Sequence, residues 1–308
     1  MALSVASGIP EHYRRALENN VNHSVQQEKQ KIGSKITVKA FEGKEKLYTD
    51  MDEFAFVERG RLQQSAPDEV LLHKRKMTKV EFKCQKIFDK ADKDFLAELG
   101  RPDSEVKEAM VYAWNRQVDT DAAIAATATV YGGIEPYNTA IDLPSTQMVA
   151  VNHVKSGGTP ANSGLTPQKL IEAASIFEEN EIDLNEREVC AALNPQAKKD
   201  LQAFVETSPN DVWAKQVSDY LNGNSKKLFG FNVILTNRLV TDTATDIDTV
   251  FCYEKNRGIW MAQDKLEIKM DIRADLDHAV QISAYAQSAF MRRYEKTVVT
   301  IACDRSPA

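Results

Sequence analysis

From Phe54 to Leu72 the chain mixes apolar and charged residues around Gly60 and Pro67, without a strong core pattern. Such a stretch reads as a long, exposed, extended excursion, and excursions of this length serve a function or meet a partner. A second segment, 10–30, has the same need. Pro10 suits a first helical turn, and Tyr13, Leu17, Val21 and Val25 recur every four residues as one narrow apolar stripe. The remaining positions are mostly polar, so this helix buries little by itself and must dock on its own body or on a neighbour. Neither segment has a partner within one compact body.

The body itself is substantial. The chain has 308 residues, 43% of them hydrophobic and 27% charged. That excludes global disorder and allows two ordinary domains, or one large one with appendages. Lys and Arg number 39 against 45 Asp and Glu, a net charge of −6, which disfavours a protein living on nucleic-acid phosphates. No apolar run approaches the ~20 residues that span a bilayer. The start, MALSVASGIPEHYRR, lacks the basic and apolar regions of a secretory signal. Cys84, Cys190, Cys252 and Cys303 are far apart with no CxxC, so four free thiols in a reducing compartment are expected.

Along the chain, strands are expected at 35–38 and 46–48, with a turn at Glu42-Gly43-Lys44 between them. Val80, Phe82 and Cys84 alternate with Lys79, Glu81 and Lys83, a half-buried strand. A long helix over 103–128 follows, capped by Asp103 or Ser104, with Val111, Trp114, Val118, Ala122 and Ala125 as its stripe and Gly132-Gly133 ending it. Thr166-Pro167 and Asn194-Pro195 are helix starts. A strand pair is expected near 229–236 and 249–253. Leu266, Ile268, Met270 and Ile272, then Val280, Ile282, Ala284 and Ala286, alternate with polar residues, and 297–303 is a last β-rich run. The fold class is α+β.

No chemical constellation stands out. Gly157-Gly158 has no following GK[ST] and reads as a linking turn. Asp89, Asp92 and Asp94 interleave with lysines as a solvated turn. The five histidines lack metal-ligand spacing, and His278 beside Asp275 and Asp277 has no nucleophile motif nearby. No catalytic residue, cofactor or metal is assigned. Lys74 to Lys93 is basic while Glu172 to Glu188 is acidic. Solvated faces are the ordinary outcome, and complementary patches meeting between subunits the sharper one.

The order of parts resembles the major capsid proteins of tailed bacteriophages, with the Hong Kong 97-type fold. "FDKADKDFL" and "AMVYAWNRQVDTDAAIAA" resemble that family's lead into its spine helix, with Arg116, Asp119 and Asp121 in matching places. "GLTPQKLIEAASIFEENEID" resembles the first helix of its axial domain, and "SPNDVWAKQVSDYLNGNSKKLFGFNVILTNRL" the approach to its axial loop. "AQSAFMRRYEKTVVTIACD" resembles its closing strands.

The resemblance implies an N-terminal arm (1–40), an extended loop (41–78), a peripheral domain with long spine helix and β-sheet (79–156 and 251–308) and an axial domain (157–250). It implies homohexamers and homopentamers that self-assemble into an icosahedral virion shell around double-stranded DNA, bound without sequence specificity. Portal and scaffolding proteins are the expected partners, a cement protein a further one, and the host cytoplasm the place of assembly. A reaching arm and loop suit a subunit that touches several neighbours. Tyr13, Leu17, Val21, Val25, Glu58, Arg59 and Arg61 are the expected intersubunit contacts. The stretch 51–72 holds no lysine, so a noncovalent shell is expected, not one welded by lysine–asparagine bonds as in some members of the family. The alternatives are a soluble α+β enzyme with an unrecognised site and an encapsulin-type compartment protein.

Overall fold

The fold was obtained as a computed structural model, which describes residues 26–51, 54, 56, 58, 69–70, 72–88, 102–154, 158, 160–208, 211–276 and 279–305. In chain order these form β1 (Thr37–Val38), β2 (Glu45–Met51), β3 (Leu72–Thr78), β4 (Val80–Phe88), α1 (Pro102–Thr127), β5 (Val130–Gly132), β6 (Thr139–Ile141) and β7 (Met148–Val149). Then come α2 (Pro167–Glu179), β8 (Val189–Leu193), α3 (Pro195–Thr207), α4 (Val212–Leu221), β9 (Lys227–Leu228), β10 (Phe231–Leu235) and β11 (Thr241–Asp242). The chain closes with β12 (Ile247–Glu254), β13 (Ile259–Gln263), β14 (Glu267–Arg273), β15 (Ala279–Arg292) and β16 (Val298–Asp304). The expected mixture of helix and sheet is present.

The chain divides into two compact units, one of 1–28, 82–114 and 265–286, the other of 29–81, 115–264 and 287–308. In the first unit, β14 runs antiparallel to the first half of β15, from Glu267↔Tyr285 to Arg273↔Ala279. Met110 of α1 packs on Ile282 and Ala284, with Cys84, Val106, Leu266 and Ile268 around them. Trp114 is 9% exposed, and its ring lies 5.7 Å from that of Phe82, as the periodicity predicts. Two expectations fail here. Helix α1 begins at Pro102, so Asp103 and Ser104 sit inside its first turn instead of capping it. Val111 and Val80 are exposed, and Met110 takes the buried position one step round the helix. Met270 and Ile272 alternate as predicted yet are also exposed. Period-2 patterning gives the side of the sheet a residue faces and not whether anything covers it.

The second unit is built on a seven-stranded sheet in the order β7-β16-β12-β8-β10-β9, with β11 beside β12. Helix α2 starts where expected: Thr166 Oγ1 accepts the Lys169 N–H at 3.4 Å, and Pro167 fills the first turn. Asn194 Oδ1 likewise accepts the Ala197 N–H at 2.7 Å ahead of α3. Leu170, Phe177, Leu201 and Val217 pack with Val189, Phe231, Val250 and Ile301 in one core. The expected pair of 229–236 with 249–253 is corrected, because β8 lies between β10 and β12, parallel to the first and antiparallel to the second. All five residues of β8 are buried. The closing strand β16 pairs with β12 over seven residues, so 298–304 shares its core with the 157–250 segment. In the same unit β1 runs parallel to β13, β13 antiparallel to the second half of β15, and β2-β3-β5-β6 form a four-stranded sheet.

Candidate assembly surfaces

The excursion is rooted in a two-stranded ribbon. β2 and β3 pair antiparallel from Glu45↔Thr78 to Met51↔Leu72, so their side chains alternate between two faces. Tyr48, Asp50, Arg75 and Met77 point inward, whereas Leu47, Met51 and Leu72 are exposed. Beyond the ribbon Phe54, Phe56, Val70, Glu58 and Glu69 are exposed, Phe56 completely so. Of the expected contacts, only Glu58 falls among the described residues. Tyr13, Leu17, Val21, Val25, Arg59 and Arg61 lie outside them, as do His278 and the 89–94 aspartates. Asp275 is held by Arg273, whose Nε donates at 2.7 Å.

The inner face of the ribbon is fixed by a charge network that sequence reasoning missed. Arg75 donates through both terminal nitrogens to Glu295, at 2.6 and 2.7 Å, and through Nε to Asp50 Oδ2 at 3.1 Å. Arg293 pairs with the other Asp50 oxygen, donates to the Thr49 carbonyl at 3.1 Å and stacks 4.4 Å over Trp260. Arg292, 0% exposed, donates to the carbonyls of Ala126, Ala128 and Ile141 at 3.3, 2.8 and 3.0 Å. Burial pushes the Glu295 carboxyl up, but the Arg75 hydrogen bonds and charge outweigh it and hold the group below the usual range. Burial pulls the Arg292 guanidinium down, and the neighbouring Arg75 adds to that. The sequence carried one sign of this cluster. Arg292, the last residue of β15, and Arg293, just past it, are adjacent and both buried, so two guanidiniums needed buried partners.

Asp119, on α1, is 0% exposed. Its Oδ2 accepts the Lys31 N–H at 2.9 Å and its Oδ1 those of Ile32 and Gly33, each at 3.0 Å. One helical turn earlier Asn115 Oδ1 accepts from Gln30 Nε2 at 3.2 Å. The chain leaving the expected N-terminal arm is therefore tied to the spine helix at two levels.

The charge segregation of the sequence is partly spent within the chain. Lys79 pairs with Asp264 at 2.7 Å, and Lys76 donates to Asn138 at 3.1 Å. Glu188 is gripped by Lys255 at 2.6 Å and Lys35 at 3.3 Å; the Lys255 hydrogen bond is the main reason its carboxyl sits below the usual range. Glu178, Glu179, Glu181, Asp183 and Glu186 stay exposed at the end of α2 and after it. Lys169 is fully buried, its Nζ donating to the Ser163 and Ala302 carbonyls at 2.7 and 2.9 Å, and burial pulls its pKa down. An open cleft of about 840 Å³ lies beside the ribbon root, lined by Met51, His73, Glu181, Arg257 and Tyr294 among others. No group of three or more His, Cys, Asp and Glu suited to a metal occurs among the described residues.

These features are surfaces and anchors, and comparison with known proteins places the chain in a family. A family model for phage capsid protein matches residues 9–305. Comparison with curated proteins finds no match. Among solved structures, the capsid of cyanophage P-SCSP1u is 14% identical with a TM-score of 0.65, covering 99% of this chain and 97% of that one. The capsid of Ralstonia phage GP4 is 8% identical with a TM-score of 0.65, over 99% and 98%. A structure from Mycobacterium phage Bobi is 10% identical with a TM-score of 0.64, over 95% and 96%. The fold is thus α+β of the Hong Kong 97 type. The family model runs from before β1 through β16, and the chain belongs to the phage capsid protein family.

Proposed function

We infer that this chain, a major capsid protein forming the head shell, closes that shell as hexamers and pentamers around double-stranded DNA. Assembly takes place in the host cytoplasm with portal and scaffolding proteins, and DNA is enclosed without sequence-specific contacts. The role is structural, with no catalytic step. In this reading 1–40 is an arm, 41–78 an extended loop, 79–156 with 251–308 the peripheral domain and 157–250 the axial domain. The contacts between subunits fall on Tyr13, Leu17, Val21 and Val25 of the arm and on Glu58, Arg59 and Arg61 of the loop. They are noncovalent.

The observation that carries this reading is the ribbon. Its outer side and continuation expose Met51, Phe54, Phe56, Val70 and Leu72, an apolar series that an isolated soluble subunit has no use for. Covering each such side chain gains about 1.5–3 kcal/mol. A shell offers that cover from another copy in every subunit. The test is electron microscopy of bacteria expressing the chain, with Phe54→Ser and Phe56→Ser together as the comparison. The reading expects shells or capsomers from the wild type and a marked loss from the double variant. A wild type that stays monomeric, or a double variant that assembles normally, contradicts it.

A further inference from the structure

We infer that Asp119 is a positioning residue for assembly, a clasp that fixes the point and direction in which the N-terminal arm leaves the body. The inference rests on the head-shell reading above, in which the arm is an assembly element. Three successive backbone N–H groups, of Lys31, Ile32 and Gly33, converge on one carboxylate that no water reaches. Consecutive N–H groups facing one way make an anion-binding concavity. Hydrogen bonds to a charged acceptor are stronger than neutral ones. The grip therefore acts on the backbone itself, whatever side chains the arm carries.

The approach is close: a Cβ at Gly33 would stand 2.7 Å from Gln30 Oε1 and 2.8 Å from Cγ1 of Val118, the residue preceding Asp119, so a larger residue there has to displace a neighbour. Ile32, 0% exposed, is buried between these ties. Lys31 Nζ reaches the Leu235 carbonyl at the end of β10, at 2.9 Å. Gln30 on Asn115 adds a further tie, and Asn115 and Asp119 are one turn apart on the same side of α1. The division between the two units falls between Glu28 and Lys29. In the sequence, the stripe that ends at Val25 stops a few residues before this root. An arm that left the body at a variable angle would present that stripe to a neighbour only part of the time. A fixed root removes that loss before assembly begins.

The test uses the full chain as unassembled, folded subunit. Asp119→Asn keeps the shape but turns an amide NH2 toward N–H donors. Trypsin cleavage at Lys29, Lys31 and Lys35 is followed by mass spectrometry against cleavage elsewhere, and particle yield is measured at a fixed concentration of folded protein. The clasp predicts cleavage at these three sites about tenfold faster or more, since each lost charged hydrogen bond is worth at least that factor in the opened population. It also predicts a particle yield lower by a similar factor. Unchanged cleavage overturns the clasp, and faster cleavage with normal yield overturns its role in assembly. If Asp119→Asn does not fold, Gly33→Ala pushes the root off α1 while leaving the carboxylate in place. The same two changes are expected of it, and wild-type behaviour overturns the proposal. A wild type that forms no particles would instead sink the head-shell reading, with the cleavage arm still judging the clasp.

Discussion

Glu295→Gln should be among the most costly single-atom changes in this chain. Three buried guanidiniums, of Arg75, Arg292 and Arg293, share two carboxylates, of Asp50 and Glu295. Removing the Glu295 charge leaves three cations against one anion and exchanges the two-pronged grip at 2.6 and 2.7 Å for an amide that can accept only through its oxygen. Breaking a buried pair by deleting one partner costs about 3–5 kcal/mol, because the other charge is stranded. Removing both partners is cheaper, so Arg75→Met with Glu295→Met should lose less than Glu295→Gln alone. Urea unfolding of the subunit, followed by tryptophan emission, measures this, and Trp260 beneath Arg293 is a local reporter. The wild-type dependence on pH has a definite sign. Because Glu295 ionises below the ordinary value of 4.5 when folded, its contribution is complete above that pH and is lost as the pH falls through the lower folded value. Glu295→Gln should flatten that acid limb. A loss under about 0.5 kcal/mol, the size of an ordinary surface substitution, or an unchanged acid limb, would show that the network is ornamental.

Trp114→Ala should cost about 3–5 kcal/mol in the same unfolding assay, through loss of its packing with Phe82. Lys169→Met should remove an alkaline feature: with the folded lysine pKa lowered, the wild type gains stability as pH climbs toward the ordinary value of 10.5, and the variant should lack that rise. Denaturing gels of particles should show single chains and no covalent ladder, since 51–72 holds no lysine. Arg59→Ala with Arg61→Ala should lower the particle melting temperature, by a small amount per subunit because exposed pairs are worth about 0–1 kcal/mol.

What could be read from the sequence was local. Thr166-Pro167 and Asn194-Pro195 announce their helices because cap and first-turn proline are adjacent in the chain. Trp114 was placed by periodicity within a single helix. Strand β8 escaped because it is buried on both faces, so it shows an apolar run and no alternation. Helix α4 escaped because Val212 and Trp213, just after its Asp211 cap, are exposed and follow turn residues. Pairing β10 with β12 followed chain order, whereas a parallel strand from earlier in the chain lies between them. The charge network was hidden for the same reason: Arg75 and Glu295 are 220 residues apart. Met270 and Ile272 alternate with polar residues as predicted yet are exposed, because patterning does not say what covers a face.

The most direct test of the account is native mass spectrometry of the purified chain at concentrations approaching those of assembly. A shell-forming subunit gives species at five and six times the subunit mass of 34.5 kDa, in exchange with closed shells. A single species at one subunit mass, unchanged as concentration rises, would contradict the account.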